Sequence, residues 1–121
     1  MEFTISLSPV TKKNSQQIIV SHGHYMIIQS ARYRQYEKDA MYFLPKIDCI
    51  TEKVNIKAVF YMPTRRKVDL TNLLESLDDV LVKGRVIEDD NCSILYSHDG
   101  SRVFYDKDNP RTEVEITAIN E

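Results

Sequence analysis

The sequence predicts an α+β fold: a single domain over residues 1–121, in which two long helices pack against a mixed β-sheet of about six short strands. Two patterns predict this fold. Short segments alternate apolar with polar residues, which is typical of strands, whereas two longer segments repeat apolar residues at helical spacing. The length of 121 residues suits one hydrophobic core, and 42% apolar with 28% charged residues is ordinary for a globular domain.

The N-terminal part of the chain is predicted to form strands. Residues 3–7 alternate apolar and polar side chains and stop before Pro9, as a half-buried strand does. Residues 18–20 and 25–28 flank a turn that contains Gly23. Because glycine tolerates left-handed backbone conformations, this arrangement predicts a hairpin.

The next two elements are a helix and a strand. Ser30 is a suitable N-cap for a helix that runs to about Leu44 and ends at Pro45. The inner side of this helix is predicted to carry Tyr33, Tyr36, Ala40 and Phe43. Residues 54–61 form the clearest strand, and apolar residues on both of its faces predict a central position in the sheet.

The second helix begins near Leu70 and ends at the stop signal Gly84. At about 100° per residue, one stripe is apolar and consists of Leu70, Leu73, Leu74, Leu77, Val80 and Leu81. The opposite stripe consists of Asn72, Glu75, Ser76, Asp79 and Lys83, with Asp78 to its side. Buried leucines would therefore leave Glu75 and Asp79 together on the exposed side, about one turn apart.

The last third of the chain is predicted to return to strands. Residues 94–97 and 102–105 bracket Asp99-Gly100, a dipeptide that favours a hairpin turn. Residues 114–118 alternate once more and predict the final strand.

Acidic residues lie at both ends of the second helix. Asp69 precedes it, and Glu88-Asp89-Asp90 follow it. If the chain folds back so that Asp89 and Asp90 approach Asp69, their carboxylates form a cluster beside the basic residues 65–67. Mg²⁺ prefers oxygen ligands of this kind, and phosphodiester cleavage uses such ions. The alternative is that these acids only solvate a helix face and a turn.

Charge and compartment narrow the function classes. The net charge of −2 gives no global signature of nucleic-acid binding, although several basic residues precede the acidic segment. No apolar run is long enough to span a membrane and no signal peptide is visible, so we expect a cytoplasmic protein. A zinc site is an alternative without a recognisable ligand spacing. Its ligands would come from His22, His24, His98, Cys49 and Cys92.

Three groups of residues together resemble the RusA family of Holliday junction resolvases over most of the chain. The first is Thr11-Lys12-Lys13-Asn14 after the first strand, and the second is Ser30 with Tyr33 and Tyr36. The most specific group consists of Asp69, Asn72-Leu73, Asp79 and Asp89-Asp90. Several aspartates and an asparagine in register over 22 residues are far more specific than any one of them.

The resemblance implies a homodimer that binds four-way DNA junctions and nicks two strands symmetrically with Mg²⁺, for which Mn²⁺ could substitute. It implies no membrane partner and no small-molecule substrate. It also implies a location in the cytoplasm of a bacterial or phage-infected cell. The catalytic and metal-ligand candidates are Asp69 and Asp90 first, with Asp89, Asp79 and Glu75 in support. The DNA-binding candidates are Lys12, Lys13, Asn14, Arg65, Arg66, Lys67 and Asn72.

This chain departs from the family pattern at two positions. Thr71 stands where the family usually has a second aspartate, and Glu75 stands where it often has a lysine. Glu75 could compensate for the missing acid, which is our hypothesis, or the site could be weakened. Three alternatives therefore stay open: an inactive binder of branched DNA on the same fold, a nuclease that cuts flaps or forks, and a protein-interaction domain.

Overall fold

The computed structural model describes residues 1–12 and 16–120; within 16–29, side chains are described only for Val20 and residues 22–25. It confirms the predicted α+β class, with helices and a mixed sheet in one chain. The strands are β1 Glu2–Ile5, β2 Gln16–Ser21, β3 His24–Gln29, β4 Val54–Met62, β5 Leu95–Ser97, β6 Arg102–Tyr105 and β7 Arg111–Ala118. The helices are α1 Ala31–Ala40 and α2 Leu70–Lys83.

The main sheet has five strands in the order β1-β7-β4-β5, with β6 beside β4 on the same edge as β5. β7 runs antiparallel to both β1 and β4, whereas β5 and β6 run parallel to β4. The central position of β4 confirms the prediction. The hairpin at Gly23 is also confirmed, since β2 pairs with β3 and both His22 (φ 50°) and Gly23 (φ 79°) are left-handed. It forms a separate two-stranded sheet.

The hydrophobic core lies on one face of the main sheet, where the helices pack. Alternate β4 residues Ile56, Ala58 and Phe60 are almost fully buried, because successive side chains of a strand point to opposite faces. Tyr33 and Tyr36 of α1 are buried with them, as predicted. In the described part of the chain, no helix is both long enough and apolar enough to cross a membrane.

The predicted start of α1 is confirmed, but its predicted end at Leu44 is wrong. The Ser30 hydroxyl accepts a hydrogen bond from the backbone N–H of Tyr33 at 3.1 Å and so caps the helix. The α-helix ends at Ala40, and the chain continues as one 3₁₀ turn over Met41–Phe43. The helix therefore tightens in its last turn before Pro45, as helix ends commonly do.

The predicted hairpin at Asp99-Gly100 is wrong. β5 and β6 both run parallel to β4 on one side, so the chain continues in the same direction through residues 98–101. Side chains tie this segment to β4: the Ser101 hydroxyl accepts from the N–H of Ala58 at 2.9 Å, and Asn55 accepts from the N–H of Asp99 at 2.8 Å. Gly100, at φ 90°, provides the left-handed residue that this detour needs.

The buried side of α2 is wider than the leucine stripe predicted. Ser76 is 2% exposed and Asp78 is 8% exposed, although the sequence placed Ser76 on the exposed stripe and Asp78 beside it. The Ser76 hydroxyl donates to the Val10 carbonyl at 2.7 Å. Both polar residues are buried because α2 has packing neighbours on its flanks as well as beneath its leucines.

Candidate active site

Asp69 lies at the N-terminal end of α2, where its chain position predicted it. It is the N-cap residue, yet its side chain makes no capping hydrogen bond to the backbone. Its Oδ2 instead accepts a hydrogen bond from the amide of Asn72 at 3.2 Å. Asn72 therefore orients an exposed carboxylate, and the local helix geometry is what brings the two together, since residues three apart share a face.

Lys12 lies among acids on the exposed side of α2. Its Nζ donates to Asp79 Oδ2 at 2.9 Å. This hydrogen bond raises the pKa of Lys12, burial opposes it, and the charges of Asp79, Glu75 and Glu37 add to the rise. The side chains of Lys12 and Asp79 are 35% and 29% exposed, so the pair stabilises the fold by at most about 1 kcal/mol. Lys12 can exchange this carboxylate for a phosphate at low cost.

The position of Lys12 follows from the buried residues before it. Thr11 is 7% exposed, and the carbonyl of Val10 accepts the hydrogen bond from Ser76. These contacts hold the end of the segment against α2 and deliver Lys12 beside Asp79. Lys13 and Asn14, the next two predicted DNA-binding residues, lie outside the described residues.

Asp89 and Asp90 form a second acidic group in the loop after α2. Asp89 Oδ1 accepts the backbone N–H of Asp90 at 2.7 Å, and its Oδ2 accepts from the amide of Asn91 at 3.0 Å. Burial raises the pKa of Asp90; the Asp89 hydrogen bond and the charges of Asp79 and Asp89 raise it further, against its own backbone hydrogen bond. Asp90 is therefore close enough to two other carboxylates to be repelled by them.

The predicted cluster of Asp69 with Asp89 and Asp90 is not assembled. Among the described residues, no three histidine, cysteine, aspartate or glutamate side chains converge on one point where they could hold an ion together. Asp69 lies at the N-terminal end of α2, whereas Asp89 and Asp90 lie in the loop after its C-terminal end. The structure instead groups Asp69 with Asn72, and Asp79 with Lys12 and Asp90. The proposed zinc ligands do not converge either.

The donor chemistry nevertheless fits a hard divalent cation. The acids offer only oxygen ligands, which Mg²⁺ and Mn²⁺ accept. Burial raises the pKa of Asp90 most, the neighbouring Asp89 and Asp79 carboxylates raise it further, and Asp90 forms no ion pair among the described side chains. A cation bound there would relieve this repulsion, and this unbalanced charge is the observation that favours a metal near Asp90.

Sequence reasoning missed a pair formed by the buried Asp78 and the half-buried His98. His98 Nε2 lies 2.9 Å from Asp78 Oδ2, and its Nδ1 lies 2.8 Å from the carbonyl oxygen of Ile56. The ring therefore links α2 to the central strand, directly behind Asp79. The signal in the sequence was the place of Asp78 at the margin of the apolar stripe, where an acid needs a partner if the helix flank is covered.

The basic segment before α2 lies exposed at the other end of the site. Arg65, Arg66 and Lys67 are all exposed, and none of the three has an ion-pair partner within the described parts of the chain. Arg65 lies over the ring of Tyr105, with its Cζ 4.1 Å from the ring centroid. These cations are therefore exposed to solvent, and their predicted contact with DNA phosphates stays a prediction.

Comparison with known proteins agrees with the resemblance. The profile of the family described as Endodeoxyribonuclease RusA matches residues 7–117. A protein named Crossover junction endodeoxyribonuclease RusA, from Aquifex aeolicus (strain VF5), is 33% identical over 94 residues, which cover 75% of this chain and 72% of that protein. The chain therefore belongs to the endodeoxyribonuclease RusA family, and it is an enzyme of that class.

Proposed function

We propose that this endodeoxyribonuclease resolves four-way DNA junctions by paired symmetric nicks in a reaction that depends on Mg²⁺. The arrangement of α2 carries the proposal: acids lie at its start, along its exposed side and in the loop after it, and three exposed basic residues precede it. Family membership and the name of the Aquifex aeolicus relative support the choice of junctions as substrate.

Asp69 and Asp90 are the proposed metal ligands, with Asp89 and Glu75 in support and Asp79 as a further catalytic candidate. Because no three of these acids converge among the described residues, Mg²⁺ would take its remaining ligands from water and the DNA phosphate. When bound, the cation would activate a water and neutralise charge on the phosphoryl group. The chain itself contributes orientation and phosphate binding. Asn72 holds the Asp69 carboxylate, and the exposed cations of residues 65–67 would bind the DNA backbone without reading base sequence.

The assembly we propose is a homodimer with two identical sites. A two-fold symmetric dimer matches a junction that is itself close to two-fold symmetric, which accounts for paired nicks in strands of like polarity. A junction nuclease acts where the DNA is, so the proposed location is the cytoplasm of a bacterial or phage-infected cell.

The test is a denaturing gel of a synthetic four-way junction, labelled on each strand in turn, with Mg²⁺, Mn²⁺ or EDTA. We expect symmetric nicks that require the cation. Asp69→Asn and Asp90→Asn should each lower the cleavage rate by at least about 100-fold, since residues that only support a metal site already account for about 10- to 100-fold. Asp108→Asn, which changes an exposed acid in another loop, is the matched control.

Two results would change the proposal, and the first of them also needs a native gel. A junction that shifts on a native gel but is never cut would favour the inactive binder, which Thr71 and Glu75 make the main alternative. Equal cutting of flaps, forks and junctions would replace the substrate but not the chemistry. Glu75→Ala at the parental rate would contradict the hypothesis that Glu75 compensates for the acid missing at Thr71.

A further inference from the structure

The exposed edge of the main sheet carries aromatic side chains that the proposed reaction does not use. Among the described strands β6 pairs with β4 alone, so its other side is open. Phe104 and Tyr105 are 48% and 38% exposed. Their partners in the register are Tyr61 and Met62, neighbours on opposite faces of β4, so the two rings flank the open edge from both sides. Exposed rings gathered at one edge indicate a binding surface.

Guanidinium groups accompany these rings. Arg111 Cζ lies 3.7 Å from the ring centroid of Tyr61, and Tyr61 packs on Phe104 with ring centroids 5.7 Å apart. Arg111 also binds Asp106 and Glu113, each at 2.9 Å, so its charge is balanced and its role is to hold Tyr61 in place. Arg65, over Tyr105, has no such acid among the described residues. Arg65 is therefore a cation at this edge that can bind a phosphate.

A cleft of about 250 Å³ lies between β6 and the loop that follows β4. Its lining residues are Met62, Thr64, Arg65, Arg66, Val103, Phe104 and Tyr105. The cleft thus combines apolar and aromatic walls with two arginines at the rim. Flat rings together with free guanidinium groups match an unpaired nucleobase and its phosphate, because bases stack on aromatic side chains while arginines bind the backbone.

The cleft is close to the proposed catalytic acids. Arg66 lines it, and Asp69 follows three residues later. Three residues span at most about 10 Å, even when fully extended. A base held in this cleft would therefore lie within one or two nucleotides of a phosphate at Asp69. A branch point is where bases of an otherwise paired DNA become available for such stacking.

We propose that the cleft between β6 and the loop 63–66 binds an unpaired nucleobase, stacked on one of its two lining rings, Phe104 or Tyr105, next to the strand that is cut. The proposal rests on the proposed function for its place in the reaction, but not for the binding itself. A short single strand offers unpaired bases without any junction, so the site can be tested even if the protein cuts no junction.

The experiment measures binding of a single-stranded oligonucleotide that carries one 2-aminopurine, whose fluorescence falls when it stacks on a ring. We expect quenching with the parent protein. The alanine variant that removes the stacking ring, Phe104→Ala or Tyr105→Ala, should weaken binding by about tenfold and reduce quenching, as loss of one stacking ring does. Phe104→Tyr and Tyr105→Phe keep a ring and should bind as the parent. Tyr42→Ala, which removes an 83% exposed ring elsewhere, is the control.

Three outcomes would overturn the base-binding site. The first is unchanged affinity in both alanine variants; the second is an equal loss in Tyr42→Ala. The third is an equal loss of affinity for fully paired duplex, which would show a backbone contact instead of stacking. Circular dichroism of each variant checks that the fold is intact. If the parent protein cuts no junction but still binds the single strand through the ring, the proposed function is rejected and the base-binding site is retained.

Discussion

At the scale of single residues, the Asp78–His98 pair is the most consequential contact outside the proposed catalytic set. Burial raises the pKa of Asp78, and the hydrogen bond and charge of His98 offset only part of this. Burial lowers the pKa of His98, but the hydrogen bond and charge of Asp78 and the carbonyl of Ile56 outweigh it, so that pKa is raised. The folded protein therefore holds a proton on His98 more tightly than the unfolded chain does.

This proton makes the stability depend on pH. Because the folded pKa of His98 is raised, its contribution is fully present below the ordinary value of about 6.5 and is lost as the pH rises through the folded value. The raised pKa of Asp78 also makes the folded protein more stable at lower pH, but this effect falls in the acid range. The free energies of unfolding are therefore compared above about pH 5.5, where His98 titrates. We expect urea unfolding to show a higher free energy of unfolding at about pH 6 than at about pH 9.

Substitutions of His98 distinguish the contribution of its proton to stability from the contribution of its packing and hydrogen bonds. His98→Ala leaves the Asp78 carboxylate buried without a partner and should lower the free energy of unfolding by about 3–5 kcal/mol. His98→Gln can still donate to one neighbour but cannot titrate, so it should lose less stability and flatten the pH dependence. His22→Ala, in an exposed turn, is the control. A full pH dependence in His98→Gln would contradict this assignment.

At the scale of elements, α2 shows why a periodic pattern understates burial. Its apolar stripe is buried as predicted, with Leu70 and Leu74 only partly so, but Ser76 and Asp78 widen the buried arc to about 200° at 100° per residue. Each of the two polar residues has a partner from a distant segment: the Val10 carbonyl on one flank and His98 on the other. The flanks are polar because they contact backbone and a histidine ring, not because they face water.

The C-terminal end of α2 depends on Gly84 for a reason that differs from the predicted one. Gly84 has φ −81°, so it is not the left-handed residue; Arg85, at φ 60°, is. A Cβ at Gly84 would overlap the side chain of Leu44 and crowd Met41. Glycine is needed here for close packing of α2 against the segment after α1.

We expect Gly84→Ala to destabilise the protein. Overpacking of this kind costs about 1–3 kcal/mol, and the added Cβ would meet the Val80 carbonyl oxygen as well as the side chains of Leu44 and Met41. Thr71→Ala, at an exposed position of the same helix, should change the free energy of unfolding by no more than about 0.5 kcal/mol. Both are measured by urea unfolding at one pH. A Gly84→Ala protein as stable as its parent would show that Leu44 yields without strain.

At the scale of the whole molecule, the proposed function requires two copies. One chain presents one set of acids, and paired nicks need two sets in a fixed relation. We therefore expect sedimentation equilibrium to give twice the mass of one chain at the concentrations that cut junctions, without DNA present. A protein that stays monomeric at those concentrations, yet nicks both strands in a correlated way, would move the assembly step onto the DNA.

The amino-acid sequence by itself determined the class of fold, the central strand, the first hairpin, the N-cap at Ser30 and the acids of α2. These features depend on local spacing and on residue types that favour particular backbone conformations, so they can be recognised within short segments. The family could be recognised for the same reason, because Asp69, Asn72, Asp79 and Asp89-Asp90 keep their spacing along the chain.

Only the tertiary structure decided which distant side chains meet. Lys12 and Asp79 are 67 positions apart, and Asp78 and His98 are 20 apart, so no local pattern predicts either pair. Asp99-Gly100 favours a hairpin locally, yet Asn55 and Ala58 of β4 hold this segment as a detour in one parallel edge. The aromatic edge at Phe104 likewise exists because β6 lies beside β4, where the long-range hydrogen bonds of the sheet outweigh the preference of two residues for a turn.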